Sequence, residues 1–230
     1  MNLLHFLTGK FDYNFWKKRI SIIFIGEFLA TLLLAWTLRP IWLSDEWIYY
    51  PFVNYISELG FGRTEGNIGA WIFLIGFCLF PILGTAWNSY LARQFGKTSK
   101  FFAFILWLVF ELSLWCVALV GIFDTRWPEP GISMFLHVIG ATYAFMGNTI
   151  AAVLVFIFIA VVYWTTPKDQ RNMPHPFKFF LIIVELVGVY LIFRIFPTAF
   201  WQWMITLSLL TFVLVNSLLI PENLKKTNNS

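Results

Sequence analysis

His137 is the residue of this chain best suited to acid–base chemistry, and two carboxylates lie where they could serve it. Asp124 precedes it in a short proline-rich segment, and Glu58 lies in the longest stretch between apolar runs. A histidine held by a carboxylate is the usual arrangement for a general acid or base. The residues alone favour a simpler role, in which His137 anchors neighbouring loops through hydrogen bonds. The catalytic interpretation stays open beside it.

Other groups that could bind or react are sparse. Ser57 and Ser133 are the candidate nucleophiles, and neither stands in a recognisable nucleophile elbow. Arg63 and Arg126 could hold a lipid phosphate, or could be solvated loop charges. No pair of histidines has metal-ligand spacing, and the sequence contains no glycine-rich phosphate loop. The sequence therefore predicts neither a metal nor a cofactor.

Three glutamates, Glu27, Glu111 and Glu185, stand inside long apolar runs, and Asn148 is a further polar residue there. A charge at the centre of a membrane helix costs about 2.5–3.5 kcal/mol, so such residues rarely face lipid. The glutamates could form a path for protons or cations. Alternatively, each is protonated or hydrogen-bonded to a neighbouring helix. The second interpretation is favoured, because no Lys or Arg lies at the same depth.

The elements that position these residues are six apolar runs, each long enough to cross a hydrocarbon core of about 30 Å as a helix. The chain is 59% hydrophobic and only 12% charged, which excludes an ordinary soluble domain. Backbone groups in lipid must bond within their own segment, so helices are expected. The predicted fold is an all-α integral membrane protein, a six-transmembrane-helix bundle. Its predicted spans are 20–41, 68–90, 101–123, 132–164, 177–196 and 200–220.

The Lys and Arg residues predict the orientation of this bundle. They concentrate before the first run, between the second and third, between the fourth and fifth, and after the sixth. Cationic loops of membrane proteins favour the cytoplasmic side, so both termini are predicted to be cytoplasmic in a multi-pass protein of the cell membrane. Anionic lipid then accounts for the net charge of +4, and no nucleic-acid partner is expected.

Short motifs on the predicted outer side resemble a known group of proteins. They read YISELG at 55–60, GIF at 121–123 and FLHVIGA at 135–141. The pattern resembles six-helix membrane proteins that include the damage-regulated autophagy modulators and the GPI-anchor lipid-remodelling proteins. It is most similar to the microbial domain-of-unknown-function family 998. The resemblance implies a link to membrane lipids, through remodelling of lipid anchors or control of lipid distribution. It also implies that Glu58 and His137 belong to one outward-facing site.

Together these features predict a single transmembrane domain over 1–230 with an outer-leaflet pocket that binds lipid headgroups. Its predicted lining comprises Ser57, Glu58, Asp124, Arg126 and His137. Two alternatives remain: a lipid-modifying acyltransferase or hydrolase that uses His137, and a small proton- or cation-coupled transporter that uses the intramembrane glutamates. Membrane lipids are the expected partners. A homo-oligomer, or a place in a larger membrane assembly, stays open.

Overall fold

Helices dominate the fold. The computed structural model describes residues 2–39, 49–63, 66–123 and 131–222, and no strand occurs among them. The helices are α1 (Leu3–Leu7), α2 (Tyr13–Phe15), α3 (Ser21–Thr37), α4 (Ile68–Gly96), α5 (Lys100–Ile122), α6 (Ile132–Thr165), α7 (Phe177–Ile195) and α8 (Ala199–Leu219). Short helical turns also form at Trp16–Ile20, Ile56–Gly60 and Lys168–Gln170.

Within the described residues, five helices are long and apolar enough to cross a membrane. They are the continuous helix Tyr13–Thr37, α4, α5, α6 and α8. Large apolar side chains are exposed along them, for example Leu33 on α3 and Leu112 on α5. Such surfaces belong in lipid, so the chain is a multi-pass membrane protein. The remaining apolar run, at 177–196, forms α7, which carries Lys178, Glu185 and Arg194 within 19 residues.

The first long helix begins at Tyr13, seven residues before the predicted span, because two local contacts extend it. Asp12 caps it, with its carboxylate accepting a hydrogen bond from the Phe15 N–H at 2.7 Å. Trp16 is completely buried, and its ring stacks on Tyr90 of α4 at a centroid distance of 5.0 Å. The cationic residues that follow Trp16 interrupt the apolar run without interrupting the helix.

The helices pack mostly with their neighbours in sequence, α3 on α4, α4 on α5, α5 on α6 and α7 on α8. Two glycines of α6 allow its close approach to α5. A methyl group added at Gly140 of α6 would lie 2.9 Å from the Cys116 carbonyl oxygen on α5. One added at Gly147 would lie 2.6 Å from Cβ of Ser113. The α7–α8 hairpin makes fewer contacts with the other helices, and two of the voids described next border it.

Candidate functional site

The helical turn Ile56–Gly60 carries two of the predicted pocket residues, Ser57 and Glu58. The Glu58 carboxylate accepts a hydrogen bond from Asn54 Nδ2 at 2.7 Å and a longer one from the Tyr55 N–H at 3.4 Å. Both donors belong to the same loop. Glu58 therefore stabilises the fold of the turn that carries it.

Side chains and carbonyls at the start of α8 hold this turn on the bundle. Gln202 Oε1 accepts a hydrogen bond from the Ile56 N–H at 2.7 Å. Trp203 Nε1 donates to the Asn54 carbonyl at 3.1 Å, and the Tyr55 hydroxyl donates to the Pro197 carbonyl. Three contacts from one helix end fix the turn in place.

Arg39 and Tyr49 close the other side of the turn. Arg39 Nη1 donates to the Glu58 carbonyl oxygen at 3.4 Å, and its guanidinium carbon lies 5.8 Å from the centre of the Tyr49 ring. Tyr49 is buried. Burial raises the pKa of the Tyr49 phenol above its ordinary value, and the nearby Glu58 carboxylate adds to the increase. The phenol therefore stays neutral at physiological pH.

His137 lies in the second turn of α6 and is only 5% exposed. Its Nδ1 lies 2.6 Å from the Phe123 carbonyl oxygen. A carbonyl oxygen can only accept, so Nδ1 carries a proton and donates it. In the neutral imidazole the basic lone pair is then on Nε2. The hydrogen bond fixes both the orientation and the tautomer of the ring.

His137 lines a cleft of about 320 Å³ between α6, the end of α7 and the start of α8. The cleft also has polar groups from Tyr190, Arg194 and Gln202, and the rest of its wall is largely apolar. Arg194 is exposed, whereas Gln202 is buried. A cation, an imidazole, a phenol and an amide thus share a partly apolar cleft, a combination that suits a phosphate-bearing amphiphile.

A smaller cavity of about 80 Å³ lies inside the bundle next to this cleft. Ala141, Phe145 and Gln202 line both voids. Most of its wall is apolar and rich in phenylalanine. Ser57 and Asn148 are among its few polar residues, and Asn148 Nδ2 donates to the Ala144 carbonyl oxygen at 2.7 Å within α6. The polar cleft and the apolar cavity together form an amphipathic site.

The sequence-based prediction placed Ser57 and His137 in one pocket, and the structure puts them on two voids that share three lining residues. Asp124 and Arg126 lie outside the described residues. Arg63, the other candidate phosphate ligand, donates to the carbonyl oxygens of Ile122 at 3.0 Å and Gly60 at 3.4 Å. It therefore ties the ends of α5 and of the turn together.

Arg194 and Gln202 line the cleft, and sequence reasoning did not assign them to the site. Arg194 was recognisable as a cation near the C-terminal end of its apolar run, and Gln202 as a polar residue early in the last run. Neither signal shows that the α7–α8 hairpin places both of them beside His137. Among the described residues, no three His, Cys, Asp or Glu side chains come together as a metal-binding group.

The three glutamates of the apolar runs make different contacts. Glu27 accepts a hydrogen bond from Thr31 Oγ1 at 3.0 Å on its own helix. Glu111 joins α4 to α5 through Thr85 Oγ1 and through Asn88 Nδ2 at 3.2 Å, and it also accepts from Trp115 Nε1. The contact of Glu185 joins α7 to α8. Its carboxylate accepts from Ser208 Oγ at 2.7 Å.

Comparison of the chain with known protein families, with curated proteins and with solved structures gives no significant match. The functional interpretation therefore depends on the site itself.

Proposed function

We propose that this protein binds a membrane lipid, with the headgroup in the cleft beside His137 and Arg194 and an apolar part directed toward the central cavity. The observation that carries the proposal is the pairing of a polar cleft with a phenylalanine-rich cavity through Ala141, Phe145 and Gln202. An amphiphile needs both environments side by side. The resemblance to domain-of-unknown-function family 998 motivates the same assignment.

The proposal includes six membrane crossings with both termini on the cytoplasmic side of the cell membrane. The assignment of α7 as a membrane crossing needs separate support, because this helix carries three charged residues. Lys178 lies in its first turn and Arg194 in its last, where long side chains can reach the headgroup layer. Glu185, in the middle, accepts the hydrogen bond from Ser208. In this orientation the His137 cleft opens toward the outer leaflet.

The arginine of the cleft provides a direct test. Arg194→Gln should reduce the amount of phospholipid that co-purifies with the protein, as quantified by native mass spectrometry. Lys178→Gln is the matched control, since it removes one positive charge from the other end of the same helix, away from the cleft. The proposal is wrong if both variants retain lipid to the same extent as the wild-type protein while remaining folded.

A lipid-modifying reaction with His137 as the base is the second candidate. It is favoured by the hydrogen bond to the Phe123 carbonyl, which presents a lone pair on Nε2. A serine nucleophile would need a hydrogen bond with that base. Of the two serine candidates, Ser57 lines the central cavity whereas His137 lines the cleft. For Ser57, binding therefore fits better than acyl transfer. Lipid hydrolase activity that is present in the purified wild-type protein and absent from a folded His137→Ala variant would reverse this ranking.

A transporter that uses the glutamates has less support. Glu27, Glu111 and Glu185 are hydrogen-bonded at three separate places in the bundle. A shared cation path would need them to converge on one hydrated space. Their contacts support a structural role for each.

A further inference from the structure

A second cleft lies at the opposite end of the bundle from the His137 site. It has a volume of about 670 Å³ and is bounded by the segment before α2, the last turns of α4 and the chain just after α8. Three of its lining residues are cations: Lys10, Arg93 and Lys97. The first comes from the N-terminal segment, and the other two from α4. Two remote parts of the sequence thus place positive charge around one space.

The backbone of Gly9 fixes the position of Lys10. Gly9 has a φ of +63°, and a methyl group added there would lie 2.7 Å from Cα of Tyr90 and 2.8 Å from the backbone carbon of Ser89. Only glycine combines that conformation with so close an approach to another helix. The ring of Phe11 also stacks on that of Tyr90, at 5.4 Å between centroids and 7° between planes. Lys10 is therefore held beside the end of α4.

The charged groups of the cleft keep much of their capacity to bind a ligand. Within the described part of the chain, Lys10 and Arg93 make no side-chain hydrogen bond or ion pair. Lys97 Nζ donates to Gln94 Oε1 at 2.7 Å and has two further donors. Two carboxylates, Asp12 and Glu222, also line the cleft, and one oxygen of Asp12 caps the first long helix. The three cations exceed the two acids, so the cleft favours an anion.

The position of the cleft across the membrane indicates which kind of anion it binds. α4 has 29 residues, which corresponds to a length of about 43 Å. Since a hydrocarbon core is about 30 Å thick, the end turns of α4 stand among the headgroups. Phe11, Tyr13 and Tyr90 surround the cleft, as is typical of the membrane interface.

We infer that this cleft binds a phosphate group with Lys10, Arg93 and Lys97, and that the phosphate belongs to an anionic lipid of the leaflet facing this end of the bundle. A free phosphate compound has the same chemistry and is the alternative source. The inference does not depend on the function proposed for the His137 cleft, because none of the described residues lines both clefts.

The test uses full-length protein in a neutral detergent, titrated with short-chain phosphatidylglycerol and, separately, with phosphatidylcholine of the same chain length. Bound lipid is counted by native mass spectrometry. The wild-type protein should bind phosphatidylglycerol in preference to phosphatidylcholine. Substituting Lys10, Arg93 and Lys97 together by Gln should weaken phosphatidylglycerol binding by about tenfold or more.

A matched control replaces Lys18, Arg19 and Lys100 by Gln. It removes the same net charge from residues that do not line the cleft, and it should change the affinity by about twofold or less, since those charges act only diffusely. Equal losses in the two triple variants would refute a defined site. Inorganic phosphate should fail to displace the lipid. Displacement at equal concentration would assign the cleft to free phosphate compounds and overturn the lipid assignment.

A variant that should strengthen binding keeps the inference testable if the triple variant does not fold. Glu222 is exposed at the edge of the cleft. Glu222→Gln removes a repulsive charge, so it should strengthen phosphatidylglycerol binding by about twofold to fivefold. General destabilisation of the protein would not increase affinity. Unchanged or weaker binding in a folded Glu222→Gln protein would contradict the assignment.

Discussion

The side-chain oxygen of Gln202 accepts a hydrogen bond from the backbone N–H of Ile56 at 2.7 Å, across 146 positions of sequence. The amide that holds the turn Ile56–Gly60 is thus on a side chain that also lines the His137 cleft and the central cavity. Any movement of the turn relative to α8 must break this bond. The shapes of the His137 cleft and of the central cavity are therefore coupled to the position of the loop that carries Ser57 and Glu58.

Gln202→Met tests this coupling. It keeps the approximate length of the side chain and removes the acceptor, so the buried N–H of Ile56 loses its partner. The free energy of unfolding should fall by about 1–3 kcal/mol, and lipid binding should weaken. Thr206→Val is the control, since Thr206 lines the same cavity and its hydroxyl, among the described residues, bonds only to the Gln202 carbonyl on its own helix. If thermal unfolding in detergent shows the same loss for both variants, the turn is not held in this way.

Close packing of α3 against α4 gives a prediction about glycines. A methyl group at Gly69 would overlap the Ala35 carbonyl oxygen, and backbone cannot move aside cheaply. Gly69→Ala should therefore cost about 1–3 kcal/mol. Gly26→Ala on α3 meets no atom within 4 Å, and alanine favours helices by about 0.8–1 kcal/mol, so it should be neutral or stabilising. Comparing the denaturation midpoint of each variant with that of the wild-type protein tests both expectations.

The helices and the site were predictable to different degrees, for a physical reason. Length and hydropathy of a segment are local properties, so five of the six apolar runs coincide with helices able to span a membrane. The start at Tyr13 was missed because the burial of Trp16 against Tyr90 is a tertiary contact. The same applies to the site. His137 was identifiable by type, whereas Arg194 and Gln202 reach it only through the way α7 and α8 pack on α6.

Glu111 should be important for the α4–α5 contact as an acceptor rather than as a charge. Glu111→Leu leaves Thr85 and Asn88 without this partner and should cost about 1–3 kcal/mol. Glu111→Gln should be better tolerated, because its amide oxygen can still accept from Thr85 Oγ1 and Trp115 Nε1. Glu185→Leu loses one bond at an exposed position, so the smallest effect is expected there. Unfolding in detergent measures all three, and a Gln variant as damaged as the Leu variant would contradict the prediction.

The phenol of Tyr49 should make the free energy of unfolding depend on pH under alkaline conditions. Burial and the Glu58 carboxylate raise the pKa of its phenol above that of the unfolded chain. The stability that the protonated group contributes is complete below the unfolded pKa of about 10 and is lost as pH rises above it. Tyr49→Phe should therefore reduce the loss of unfolding free energy above about pH 10. If the unfolding free energies of the wild-type and Tyr49→Phe proteins fall in parallel above about pH 10, ionisation of Tyr49 does not contribute to the loss of stability.

Ala141 lines both the His137 cleft and the central cavity, so its side chain controls how the two voids connect. Ala141→Leu should occupy the space between them. The added atoms enter existing voids, so the cost in stability should be small, about 1 kcal/mol or less. Lipid co-purification should nevertheless fall, because an amphiphile could no longer occupy both environments. Ala30→Leu, at an exposed position of α3, is the control and should leave bound lipid unchanged. Full lipid retention by a stable Ala141→Leu protein would mean that the cleft alone binds the ligand, and the amphipathic site would have to be abandoned.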